Sequence, residues 1–212
     1  MASTRDRTAR RRVDARSSAE RIVAAGRIVL GQGEGSLDRI AAEAGVGIAT
    51  LYRHFPNREA IVRAVLADIL EADLLPLVER AAEAPPTRRA LQDIATQLLD
   101  LIAQEPGLVT FASNFADVAV EALQHFSASL HPLLVRAQEA GEVRGDLTAE
   151  DIPHFLVMAV AGLALPGTAP SLRARFVALL FDSLDPAAAS PLPPLLSGKD
   201  DLRTALGSVK RA

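Results

Sequence analysis

An all-α fold is predicted: a three-helix helix-turn-helix head followed by a helical body, about nine helices in all. Three observations predict it. Nearly half of the residues are apolar (49%), chiefly Ala, Leu, Val and Ile, which are enough for a buried core and lean towards helix. Apolar residues recur at three- and four-residue spacing along most of the chain, and no stretch sustains the strict alternation of a half-buried strand. Gly and Pro then punctuate the chain at helix-length intervals.

Residues 1–16 carry Arg5, Arg7, Arg10, Arg11, Arg12 and Arg16 against Asp6 and Asp14, without apolar periodicity, and read as a flexible basic arm. A first helix is expected from Ser17 or Ser18, with Ile22, Ala25, Gly26 and Val29 facing inward, ending among Gly31, Gly33 and Gly35. Ser36 can cap a second helix whose stripe is Leu37, Ile40, Ala41 and Ala44. Gly45 tolerates the positive φ that a tight turn between helices needs. A short third helix runs from about Gly47 to Phe55, where Pro56 stops it.

Asn57 can cap a long fourth helix with Ala60, Ile61, Ala64, Val65, Ile69 and Leu70 inward. Pro76 is placed to kink it and Pro85-Pro86 to end it. Further helices are expected over Thr87–Gln104, Leu108–Ala116 and Asp117–Ala140, then from Thr148 to about Leu165, and over Ser171–Leu184. Residues 186–212 begin rich in Pro, Ala and Ser and end polar, so disorder is expected there, with room for a short helix over 200–208.

Charge divides the chain. Residues 1–63 hold 12 Arg against seven acidic residues, whereas residues 64–212 hold 11 Lys and Arg against 19 acidic residues. That asymmetry suits a polyanion-binding end joined to an end with other work, and equally suits a basic tail solvated for solubility. The absence of cysteine excludes disulfides, thiolate metal sites and a cysteine nucleophile. Met1 to Arg12 has no apolar core of a signal peptide, and the longest apolar run, Phe155–Pro166, falls short of the roughly 20 residues of a membrane span. A cytoplasmic protein with no membrane association is therefore expected. His125 and His131 are six apart, which is not same-face helical spacing, so neither a metal site nor a cofactor is predicted.

The helix pair 36–44 and 47–55, joined at Gly45, has the form of a helix-turn-helix unit. Its second helix would have to show small or polar groups to base edges while its other face packs on the first helices. Leu51 and Phe55, four apart, can face that core, which leaves Ile48, Ala49, Thr50, Arg53 and His54 mainly on other faces. Tyr52 carries a hydroxyl that can reach a phosphate, or a ring that can pack at the boundary.

The run Ile40-Ala41-Ala42-Glu43-Ala44-Gly45-Val46-Gly47-Ile48-Ala49-Thr50-Leu51-Tyr52-Arg53-His54-Phe55-Pro56-Asn57-Arg58-Glu59-Ala60-Ile61 resembles the signature of TetR-family repressors, and the likeness extends over about residues 17–63. The resemblance implies that Ile48, Ala49 and Thr50 face bases, that Tyr52 and His54 touch phosphates, and that Arg58 binds a phosphate where family members usually carry Lys. Arg53 joins Thr50 as a candidate for direct readout, because Ile48 and Ala49 can meet thymine methyl groups but make no bidentate hydrogen bonds to bases. A second departure is Gly47, where a Ser cap is common.

Between the arm 1–16 and the tail 186–212 read from composition, the resemblance implies a DNA-binding head 17–63 and a ligand-binding and dimerisation domain 64–185. Its partners would be an operator in double-stranded DNA, a small-molecule effector and a second copy of the chain. Candidate pocket residues are Phe111, Asn114 and Phe115, then His125 and Phe126, then His154, Phe155 and Met158. Val157, Ala161, Ala164, Phe176, Leu179 and Leu180 are small or apolar at helical spacing and could form the dimer surface or bury within one subunit. The expected function is a ligand-responsive transcriptional repressor. A helical enzyme would need a catalytic set that the sequence does not offer, and a non-specific architectural DNA binder would carry an acidic half that repels DNA.

Overall fold

A computed structural model describes residues 4–105, 107, 114–163 and 168–193. Among these the regular structure is helical, as the composition predicts. The head is built from α1 (Thr4–Gly31), α2 (Leu37–Glu43), α3 (Ile48–His54) and α4 (Arg58–Ile69). The body follows as α5 (Leu75–Glu83), α6 (Arg88–Gln104), α7 (Ala116–Glu139), α8 (Asp151–Leu163) and α9 (Pro170–Asp182). A 3₁₀ turn at Pro186–Ala188 follows the last helix. Most of the short helix expected over 108–116, and the tail beyond 193, lie outside the described residues.

The caps fall where the side chains dictate. Ser36 accepts from the Arg39 N–H, Asn57 from the Ala60 N–H at 2.8 Å, and Thr87 from the Ala90 N–H. Gly45 takes φ +62° between α2 and α3, the left-handed conformation a Cβ would disfavour. Two elements depart from expectation. The first helix begins at Thr4 rather than Ser17, because the intervening Arg and Ala residues are good helix formers and no breaker interrupts them. The long fourth helix ends at Ile69, before Pro76. The chain passes through one π-helical turn, Leu70–Leu74, in which the Leu75 N–H bonds the Leu70 carbonyl. Pro76 then sits in the first turn of α5, where its missing N–H leaves no bond unmade.

Ile22, Ile40, Leu51 and Ile61 are fully buried where the four head helices meet. Each such side chain contributes about 1.5–3 kcal/mol through burial. Gly26 lets α1 and α4 close up: a Cβ there would stand 3.0 Å from Val65 Cγ2. Two further clusters, around Leu99–Leu134–Val177 and Leu74–Phe126–Leu156, fill the body.

Head and body are joined by both kinds of chemistry. Val118 of α7 is buried in the head cluster, with Phe115 and Leu101 packed against it. Beside that apolar seam, the Arg27 guanidinium of α1 pairs with Asp73 of the π turn at 2.6 Å and with Glu105 after α6 at 3.0 Å. Burial alone would lower the Arg27 pKa, but hydrogen bonds to Glu105 and Asp73 outweigh it and hold the guanidinium above its ordinary value. Gly107 packs on the end of α1 so closely that a Cβ would lie 2.0 Å from the Leu30 carbonyl oxygen.

The far end of the body is also pinned. Arg144, almost wholly buried, forks onto both Asp146 carboxylate oxygens at 2.6 and 2.9 Å and donates to the Ser190 carbonyl. The Leu192 N–H donates to Asp146 at 2.9 Å, and Arg88 pairs with Asp185 at 3.0 Å. The segment after α9 is thereby strapped across the loop between α7 and α8.

Candidate nucleic-acid interface and regulatory cavity

Alternation of buried and open positions around α3 gives the interface its shape. Leu51 is fully buried and Phe55 packs against the same core, which anchors one side of the helix. Ile48, Ala49, Tyr52 and Arg53 are exposed on the other side, and Thr50 is half-buried beside them. Ile48 and Tyr52 are four apart, as are Ala49 and Arg53, so these side chains form one outward patch. Half of the Tyr52 surface is open (50%), and Ile48 is among the large apolar side chains left exposed (37%).

The two expected phosphate contacts nearest the core sit differently. His54 is half-buried and its Nε2 is enclosed without a hydrogen-bond partner. Arg58 is half-buried and its guanidinium lies over the turn before α2, where a Cβ on Gly35 would come within 1.4 Å of Nη2. Gly35 thus leaves the space in which that guanidinium rests. Gly47 leads α3 without a side-chain cap.

The expected pocket residues do not gather in one place. Phe111 lies outside the described residues. Asn114 is exposed, His125 is exposed at a separate cleft of about 280 Å³ with Arg63, Leu66 and Glu121, and Phe115 packs against the head core. Phe126 is buried in the cluster with Leu74 and Leu156. His154 turns back along its own helix, its Nδ1 3.0 Å from the Glu150 carbonyl oxygen. Met158 is largely exposed (64%). Phe155 does line a cavity, which encloses about 70 Å³. Leu91, Ile94 and Ala95 of α6 and Leu130 and Leu134 of α7 form one side of it. Leu147, Thr148, Ile152, Leu156, Phe181 and Leu184 complete the wall. Phe155 and Phe181 meet edge to face, ring centres 5.6 Å apart. Gln138 holds the Leu147 and Arg144 carbonyls at 2.9 Å and so positions the loop that closes one end.

Sequence reasoning missed most of this wall, whose members are plain aliphatic residues spread from Leu91 to Leu184. It also missed the Arg27–Asp73–Glu105 junction, whose partners are far apart in sequence. Of the residues expected at a dimer surface, Val157 is buried within the subunit and Leu180 packs on the body core, while Phe176 and Leu179 are exposed. Leu172 is exposed on the same face of α9, four residues before Phe176. Among the described residues no helix is long and apolar enough to cross a membrane, and no group of three metal-ligating side chains occurs.

A two-helix unit turning at a left-handed glycine, with one face of its second helix buried and the other presented outward, defines a helix-turn-helix DNA-binding regulator. Comparison with known proteins narrows the class. Residues 22–65 match the model of bacterial regulatory proteins of the tetR family, and residues 109–186 match the SbtR-like transcriptional regulator C-terminal domain. The structure is similar to that of TetR transcriptional regulator SCO0520 from Streptomyces coelicolor, with 30% identity and a TM-score of 0.60 over 80% of this chain and 99% of that one. It is similar to a TetR transcription regulatory protein from Mycobacterium vanbaalenii, again with 30% identity, a TM-score of 0.57, and 82% and 98% of the two chains covered. The regulator FadR from Bacillus subtilis, solved in complex with stearoyl-CoA, shares the fold at 16% identity and a TM-score of 0.62, over 78% of this chain and 97% of that one. No curated protein matches the chain. The chain belongs to the TetR family of transcriptional regulators.

Proposed function

We propose that this regulator is a cytoplasmic repressor that binds a palindromic operator as a homodimer and is released by a small molecule. The observation that carries the reading is the outward patch of α3, Ile48, Ala49, Tyr52 and Arg53, on a head whose opposite side is locked into a closed core. Ile48 and Ala49 supply apolar contact to thymine methyls, Thr50 and Arg53 supply hydrogen bonds, and Tyr52, His54 and Arg58 serve the phosphates. Phosphate contact by His54 and Arg58 requires their side chains to swing outward from where they rest. The exposed Leu172, Phe176 and Leu179 of α9, with Met158 of α8, support pairing of two copies. A body cavity walled by side chains of four helices supports an effector site.

Footprinting on the DNA flanking the protein's own gene tests the reading. A protected palindrome with half-sites about 34–36 Å apart, or a multiple of that spacing, is expected, with affinity falling steeply as salt rises. Random DNA competing equally at moderate salt would replace it with an architectural binder. Phe176→Glu with Leu179→Glu gives a monomer in sedimentation equilibrium and loses the operator, if two copies pair through α9.

A further inference from the structure

We propose that the cavity between α6 and α8–α9 selects neutral, apolar effectors and excludes charged ones. The inference rests on the ligand-responsive reading above and names the chemistry of its effector. Thr148 is the one polar residue among the described lining residues. Its hydroxyl already donates to Asp151 Oδ2 at 2.9 Å, and its N–H donates to the same oxygen at 2.7 Å. No described lining side chain therefore offers a free donor or a charge to an incoming head group. The ionic groups around that end are already engaged: Asp151 accepts from Thr148, Arg144 is held by Asp146 and the strap, and Arg88 forms an ion pair with Asp185. A carboxylate drawn into this wall would lose its hydration and gain no partner from the lining side chains, and an ammonium would have to compete with Thr148 for Asp151.

A larger cleft, of about 270 Å³, has the opposite character and leads to the opposite conclusion. It lies at the head–body junction among Arg27, Asp73, Asp100 and Glu105, where charges abound. Those charges are already paired, Arg27 with Asp73 and Glu105, and Asp100 with Arg173 at 2.8 Å. Size adds a further term to the apolar cavity. A dry cavity of about 150 Å³ suffices for benzene, whereas this one encloses about 70 Å³. An effector of ordinary size exceeds this space and must displace part of the wall, which includes the Phe155–Phe181 pair, so occupancy is tied to a change of shape.

The test uses three probes of one chain length on the full-length protein: 1-decanol, decanoate and decyltrimethylammonium, each below its micellar range, followed by calorimetry and by operator anisotropy. Decanol is expected to bind one per chain, at least ten-fold tighter than either ion. Ala95→Leu and, separately, Leu134→Phe fill the cavity and should weaken decanol binding ten-fold or more, with helicity and melting checked in each. Decanoate or the ammonium binding as tightly as decanol overturns the inference. So does the absence of binding by all three, or decanol binding that neither filled cavity weakens. Decanol bound in the cavity with operator affinity unchanged supports the inference and instead overturns release by a small molecule.

Discussion

The two ends of α6 are built from opposite chemistry. At its start, Leu91, Ile94 and Ala95 look into a cavity with scarcely a polar atom. At its finish, about 15–20 Å away at 1.5 Å per residue, Glu105 is gripped by Arg27 of the head, and Gly107 presses on the last turn of α1. Apolar contact is non-directional and yields gradually to a change of shape. A hydrogen-bonded ion pair and a backbone-to-backbone fit are directional and either hold or fail. The helix thus joins a soft end to a hard one, and the hard end touches the DNA-reading head.

Substitutions can set these ends against each other. The largest effect is expected midway, at Leu99, which is almost wholly buried between them. Leu99→Ala should cost about 3–4 kcal/mol in urea unfolding and disturb operator binding and decanol binding together. Gly107→Ala forces backbone apart at the hard end alone, and a loss of about 2–3 kcal/mol is expected. Operator affinity should fall while decanol affinity stays within two-fold, and equal loss of both would erase the distinction between the ends.

Arg27→Ala leaves two carboxylates facing each other. Because the site is partly open to solvent, about 1–2 kcal/mol is expected. The double variant with Glu105→Gln should recover part of it, and a double-mutant cycle that sums to zero would deny the coupling.

The strap beyond the soft end makes a pH prediction. Asp146 is held below the usual carboxylate range by its hydrogen bonds from Arg144 and then from the Leu192 N–H, and Asp185 is lowered by the Ala187 N–H and by Arg88. A depressed folded value means stability that is complete above about pH 4, the ordinary carboxylate value, and is lost as pH falls through the folded one. Asp146→Asn should therefore lower the urea midpoint at pH 7, and the gap from the parent should narrow by pH 3. A gap that widens in acid would contradict the strap.

The smallest effect is expected in the head, at neither end of α6. Gly47 has extended backbone angles and nothing within 4 Å of a Cβ. Gly47→Ser should therefore cap α3 and add a few tenths of a kcal/mol, read as a slight rise in melting temperature.

The architecture of the head was legible because the residues that build it are neighbours in the chain. Cap, turn, buried Leu51 and open Tyr52 all fall within one window, and helical periodicity sorts them inward or outward. The cavity was not, because Leu91 and Leu184 meet only after four helices have packed, and an aliphatic lining residue has the same composition as core. Phe155 lines the cavity and Met158, on the same helix, is largely exposed, a difference set by what packs on α8 and not by its sequence. Arg27 was likewise silent, since nothing local distinguishes an arginine that bonds Glu105 from one in water.

The π turn carries a consequence for insertions and deletions. Along the chain that links head to body, the buried positions run Ile61, Val65, Ile69, Leu74, Val78, with steps of four except for a step of five across Leu70–Leu74. In unbroken α-helix that longer step would throw Leu74 roughly 100° out of line, and the wider turn absorbs the extra residue and keeps the seam in phase. Removing one residue between Ile69 and Leu74 would leave the hydrophobic seam aligned but take away the turn that presents Asp73 to Arg27 and gives Pro76 a helix start. Length at this point is a tuning parameter: a single codon would decide whether the head and body share one stiff rod or meet across an offset joint.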